Sequence, residues 1–160
     1  MMKKRLLVLI PILLALGVSS TTFAQTQTTV KTAQSHDLGT YLTDDQGMTL
    51  YVFDKDMPDK STCNDTCATN WPPFTAEGAL TLPKDIPGKL TQITRDDGST
   101  QVAYNGHPLY HFAADKKPGD TMGEGVGGVW HVAVVSGPGA TPGASPGASP
   151  MASPEASPRS

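Results

Sequence analysis

The chain has little of what marks an enzyme or a nucleic-acid binder. Charged residues are 17% of the 160, and the formal charge is −3. Nucleic acids and anionic membranes both want a basic patch, so the balance argues against either partner. Aromatic residues make up only 6%, so any pattern among them carries weight. There are two cysteines, Cys63 and Cys67. Their spacing is not CxxC and no histidine follows, which excludes covalent haem attachment. No Ser–His–Asp spacing and no paired carboxylates stand out, so no residues can be given catalytic roles, and the chain reads as a non-enzyme. Outside one short stretch near the start there is no long hydrophobic run, and no window has helical spacing with caps.

That one stretch is Leu6–Val18. It follows Lys3-Lys4-Arg5 and precedes Thr22-Phe23-Ala24. It falls short of the roughly 20 apolar residues that span a bilayer. The order of basic, apolar and small residues reads as a signal peptide over 1–24, cut after Ala24. The mature chain is then secreted or periplasmic, without a transmembrane anchor. At the other end, proline recurs at 138, 142, 146, 150, 154 and 158. Proline blocks both helix and ladder, so 137–160 reads as a disordered spacer that buries nothing; its serines and threonines are candidates for O-linked sugar.

The segment between them, 25–136, repeats itself. At a shift of 59, Leu50, Tyr51, Phe53 and Asp56 lie over Leu109, Tyr110, Phe112 and Asp115. The same register pairs Asp37 with Asp96, Gly39 with Gly98, Gly47 with Gly106, Thr62 with Thr121 and Trp71 with Trp130. Residues rare in the composition do not coincide in this way by accident, so the segment reads as a duplication. Repeat one covers about 30–74, repeat two about 89–135, and 75–88 is a linker containing Pro83 and Pro87.

Each repeat reads as β. Gly39–Thr43 and Met48–Phe53 flank the turn Asp44-Asp45-Gln46-Gly47. Thr100–Tyr104 and His107–Phe112 flank Asn105-Gly106, which suits a type I′ turn because both central residues need positive φ. Leu90–Thr94 leads through Arg95-Asp96-Asp97-Gly98 into the same meander, and Val129–Val135 closes it. Alternation puts Leu50 and Val52 on one face and Tyr51 and Phe53 on the other, so this strand is covered on both sides. His111 stands where Val52 does, which makes that face wetter in repeat two. The fold class is all-β: two pseudo-repeats of short antiparallel strands and hairpins in one small sandwich- or barrel-like domain.

Tyr51-Val52-Phe53-Asp54-Lys55-Asp56 and Tyr110-His111-Phe112-Ala113-Ala114-Asp115 share the pattern Tyr-x4-Asp. With Trp71-Pro72-Pro73, Asn105-Gly106-His107-Pro108 and Gly127-Gly128-Val129-Trp130-His131, they resemble the secreted-repeat family of bacterial lipoproteins that carries this motif. The resemblance runs from about Val30 to Val134. It implies a secreted or surface protein of two repeats and brings no activity with it. The chain departs from the family in having no cysteine to lipidate at its signal cleavage site.

Several residues are candidate sites. Two cysteines in an oxidising compartment predict a Cys63–Cys67 disulfide around Asn64-Asp65-Thr66. Asp56 and Asp115 follow their strands at one offset, where a carboxylate takes backbone N–H groups of the next loop. Asp54, Asp56 and Asp59 do not match a calcium loop, because Pro58 and Asp59 interrupt it. Gly123–Gly128 lacks the strand-before, helix-after setting of a phosphate loop; its glycines let a loop pass close to the sheet. Trp71 and Trp130 read as core anchors. His107 and His111, four apart on one strand face, together with His131 and Met122, offer imidazole and thioether ligands suited to copper. The leading expectation is therefore a non-catalytic extracytoplasmic binding or scaffold module whose partners lie among cell-envelope components. A copper-binding or redox-associated envelope protein is the alternative.

Overall fold

The structure is a computed structural model that describes residues 27–135. The signal peptide and the proline-rich tail read from the sequence lie outside these residues. The chain is all-β. Repeat one contributes β2 (Lys31–Ser35), β3 (Gly39–Thr43) and β4 (Tyr51–Phe53), with the short helix α1 (Thr66–Asn70) in the loop after β4. Repeat two contributes β6 (Leu90–Thr94), β7 (Thr100–Tyr104), β8 (His107–Pro108) and β9 (Trp130–Val132). Two further strands, β1 (Gln27–Thr29) and β5 (Ala79–Thr81), pair parallel to each other.

The predicted meander is present: β6 pairs antiparallel with β7, and β7 with β8. Its turn has Asn105 at φ 51° and Gly106 at φ 84°, the pair of positive angles that the type I′ geometry demands. The strand expected over 107–112 is shorter. β8 ends at Pro108, which has no N–H to give a ladder, and pairing resumes only as a bridge at Tyr110. His107 and His111 therefore do not share one continuous strand face. The linker is also more than a connector. β5 lies within it, and Leu80, Leu82 and Ile86 pack against the core.

The repeats meet about a pseudo-twofold axis. Tyr51 N–H donates to Tyr110 O at 2.8 Å, and Tyr110 N–H to Tyr51 O at 3.0 Å. β4 pairs with β9, placing Tyr51 opposite Val132; the equivalent bridge places Tyr110 opposite Pro73. Each repeat thus completes its central strand with the end of the other.

The hydrogen bonds also correct the repeat register. Leu50 N–H donates to Leu42 O, and Leu109 N–H to Val102 O. Leu42 N–H donates to Ala133 O, and Val102 N–H to Phe74 O. So Leu50 matches Leu109, but Leu42 matches Val102, because the first hairpin turn carries one residue more. The identities Asp37/Asp96 and Gly39/Gly98 belong to the ungapped register and do not occupy equivalent places. Those at Leu50, Tyr51, Phe53, Asp56 and Trp71 do, whereas Thr62 and Thr121 do not, because Asp56 takes the N–H of Thr62 and Asp115 that of Met122.

The core has two parts, one on each face of the central strand. Leu50 and Val52 join Val30, Leu42, Val102 and Leu109 on one side. Tyr51 joins Trp71, Tyr110, Trp130 and Val132 on the other. This is the two-sided burial that the apolar run through Leu50–Phe53 predicts.

Candidate functional site

The repeat-motif residues converge on the pseudo-twofold axis and form one centre. Four rings stack in the order Phe53, Trp130, Trp71, Phe112. The indoles face each other with centroids 3.8 Å apart and planes 3° from parallel, and each phenyl ring lies 4.2 Å from its indole. Tyr51 meets Trp71 edge-on at 5.3 Å, and Tyr110 meets Trp130 edge-on at 5.1 Å. Both tryptophans are buried, as core anchors should be.

The tyrosine of each repeat is clasped by the aspartate of the other. Tyr51 O–H donates to Asp115 Oδ2 at 2.6 Å, and Tyr110 O–H to Asp56 Oδ2 at 2.6 Å. Each carboxylate also takes the backbone N–H expected of it, from Thr62 to Asp56 and from Met122 to Asp115. Burial raises the pKa of both carboxyls, against the tyrosine hydrogen bonds that lower it. Burial and the facing carboxylate together push both phenols well above the ordinary tyrosine range.

Around this centre the two loops close differently. In repeat one, Cys63 and Cys67 form the expected disulfide, with Cα atoms 5.2 Å apart. The turn between them runs into α1. Arg95, buried, reaches in from repeat two. Its Nη1 donates to Ser61 Oγ and Gln101 Oε1, both at 2.7 Å, and its Nη2 to Cys63 O at 2.7 Å. Its Nε has no hydrogen-bond partner among the described residues and stands 3.8 Å from Asp97 Oδ2. Ser61 O–H in turn donates to Tyr110 Oη at 2.7 Å, so the guanidinium is wired to the clasp.

In repeat two the glycine loop replaces all of this. Gly123 N–H donates to Tyr51 Oη at 3.2 Å. A Cβ at Gly123 would lie 2.7 Å from the Tyr51 ring and 2.8 Å from the Trp71 ring. The loop does pass close to the sheet, and Gly123 is the residue that permits it.

The histidines go to separate carboxylates. His111 Nε2 lies 3.0 Å from Asp44 Oδ2, while Asp44 Oδ1 accepts the N–H groups of Gln46 and Met48 in the first hairpin turn. His131 sits between Glu124 and Asp54, with Nδ1 3.2 Å from Glu124 Oε1 and Nε2 3.2 Å from Asp54 Oδ2. His107 belongs to β8, and Met122 is 63% exposed. Among the described residues no group of three or more His, Cys, Asp or Glu side chains is placed to hold a metal ion. His111 and Asp44 line a cleft of about 320 Å³ with Gln46, Phe74 and Thr75.

Sequence reasoning missed Arg95, which reads as one more polar residue of a turn. It missed Asp44 as a partner of His111, 67 residues away. It also missed the crossing of the clasps, although both motifs were in view.

These features define a class: a small all-β module of two repeats locked about a pseudo-twofold axis by a shared aromatic centre. The chain belongs to the family described as a secreted repeat of unknown function, which matches it twice, at residues 32–75 and 91–134. No curated protein and no solved structure matches it. Among the described residues no helix is long and apolar enough to cross a membrane.

Proposed function

We propose that this protein is a non-catalytic binding or scaffold module of the cell envelope, secreted or periplasmic. One observation carries the reading. The polar groups of the repeated motif are turned on one another, Tyr51 with Asp115 and Tyr110 with Asp56, so the motif builds a frame. Recognition then falls to surfaces that the frame presents. The cleft at Asp44 and His111 fits that role, because amide, hydroxyl, carboxylate and imidazole groups converge there beside Phe74.

The test is sedimentation of purified protein with washed envelope fractions, cell-wall sacculi and membranes separately. The protein should co-sediment with one of them. Thr75→Arg or Gln46→Arg should release it without changing its melting temperature. Protein that stays in the supernatant with both fractions sinks the reading. Copper titration by calorimetry separates the alternative. A flat titration is expected, because His111 and His131 go to separate places and no three His, Cys, Asp or Glu side chains among the described residues are placed to hold a metal ion. A tight site lost in His107→Ala or His111→Ala would establish copper binding instead.

A further inference from the structure

The aromatic centre has a property that goes beyond a frame: it couples oxidisable rings to built-in proton acceptors. Trp71 and Trp130 are stacked at 3.8 Å, so a charge placed on one indole is shared with the other. Each indole has a tyrosine against it, and the hydroxyl of that tyrosine is bonded at 2.6 Å to a carboxylate. A phenol that loses an electron becomes a strong acid, and a carboxylate in hydrogen-bond contact takes its proton without waiting for solvent.

The other two tyrosines of the chain are not built this way. Tyr104 O–H is bonded to the Pro87 carbonyl, which cannot keep a proton. Among the described residues only Tyr51 and Tyr110 donate to carboxylates. Phe53 and Phe112, harder to oxidise than indole, cover the outer faces of the stack. Tyr51 and Tyr110 themselves are fully buried, which keeps a radical formed there from coupling with another molecule.

We propose that this centre is a one-electron oxidation site, which accepts an oxidising equivalent from a diffusing radical oxidant and holds it as a neutral tyrosyl radical on Tyr51 or Tyr110. The oxidant takes one electron from the Trp71–Trp130 pair and is reduced by one electron. Tyr51 or Tyr110 returns an electron to the indole while its phenolic proton passes to Asp115 or Asp56. One O–H bond breaks on the phenol and one forms on the carboxyl; no atom leaves the protein. A one-electron donor reverses both transfers. The buried setting that raises the carboxyl pKa also makes each aspartate a better proton acceptor than one in water.

The experiment is flash oxidation of the full-length protein by photogenerated ruthenium(III) tris-bipyridine, followed by transient absorption and electron paramagnetic resonance. An indole radical should appear first and decay into a neutral tyrosyl radical, whose spectrum narrows when the tyrosines are ring-deuterated. Tyr51→Phe should lower the tyrosyl yield, and Tyr51→Phe with Tyr110→Phe should abolish it and prolong the indole radical. Asp56→Asn with Asp115→Asn should slow the indole-to-tyrosine step and make its rate follow buffer concentration. The deuterium test needs only unaltered protein, so it stands even where a double variant fails to fold. No tyrosyl radical in the unaltered protein overturns the proposal. So does an undiminished tyrosyl signal in a folded double phenylalanine variant, or oxidation confined to exposed Met57 and Met122.

Discussion

The two loops that follow the Tyr-x4-Asp motifs face the same task and meet it by different means. Each must bring an aspartate onto the tyrosine of the opposite repeat and a tryptophan onto the axis. The first loop does so with side chains: a disulfide, a five-residue helix and a buried guanidinium with three strong acceptors. The second does so with backbone, bringing Gly123 onto the rings of Tyr51 and Trp71, where a side chain would collide. The geometry at the centre is nonetheless matched, with 2.6 Å on both clasps. Duplication here preserved the contact at the axis and left each loop free to find its own way of making it.

The comparison is broken most severely at what the two loops share. Trp71→Ala and Trp130→Ala should each cost about 3–5 kcal/mol, since each removes a buried ring that three others pack against. Thermal or urea unfolding should show losses of similar size for the two. A loss confined to one would mean that the symmetry is geometric but not energetic.

Arg95→Leu should cost roughly 3 kcal/mol, because it strands Ser61, Gln101 and the Cys63 carbonyl around an apolar side chain. Its structural counterpart in repeat one is Ser35, and Ser35→Ala should fall within about 0.5 kcal/mol of wild type. Equal losses would show that the guanidinium adds nothing particular to the first loop.

The two closing devices themselves come next. Gly123→Ala should destabilise by about 1–3 kcal/mol through overpacking against Tyr51 and Trp71. Replacing both cysteines with serine should cost about 2 kcal/mol in the chain-entropy view of so short a loop. The combined variant should depart from the sum of the two in denaturant unfolding, since Gly123 packs against Trp71, whose N–H is bonded to Cys67 O.

The smallest effect is on pH dependence. A carboxyl whose folded pKa lies above its unfolded one binds its proton first in the folded state. Its contribution to stability therefore grows as pH falls through the raised folded value and is complete below the unfolded value. Asp56 and Asp115 are raised in this way, so both oppose acid unfolding across that window. Melting curves of Asp56→Asn and Asp115→Asn should lose stability more steeply than wild type as pH falls there. Parallel curves would mean that the two clasps do not feel their burial.

The sequence was most legible where local chemistry decides structure. β3, β6 and β7 have the boundaries that alternation and turn residues predict, and Asn105-Gly106 forms the turn its two residues require. The disulfide and the burial of both tryptophans follow from compartment and rarity. β2 was missed although its counterpart β6 was read, because Lys31-Thr32-Ala33-Gln34-Ser35 has few apolar residues to alternate. β1 and β5 are three residues each, too short for any period to declare itself. The candidate centre was half legible: its residues were named, their partners were not. Spacing puts Tyr51 five residues before Asp56, and nothing along the chain says that the bond is to Asp115 instead. The histidines illustrate the converse. His107, His111, His131 and Met122 look like one ligand set in a line of text, yet His111 and His131 each face carboxylates from elsewhere in the fold.

The crossing of the clasps also dictates when the protein can fold. Tyr51 and Asp115 are 64 residues apart and Tyr110 and Asp56 are 54 apart. Neither repeat holds its own tyrosine, so the first has nothing to finish on while the second is still unmade. Such distant pairings must await closure of the whole chain, which places the module among the slower, high-contact-order folders, typically on the order of milliseconds to seconds. A chain threaded outward from its N-terminus would stay open until β9 emerged, well after Asp115, and would then close both repeats in one event.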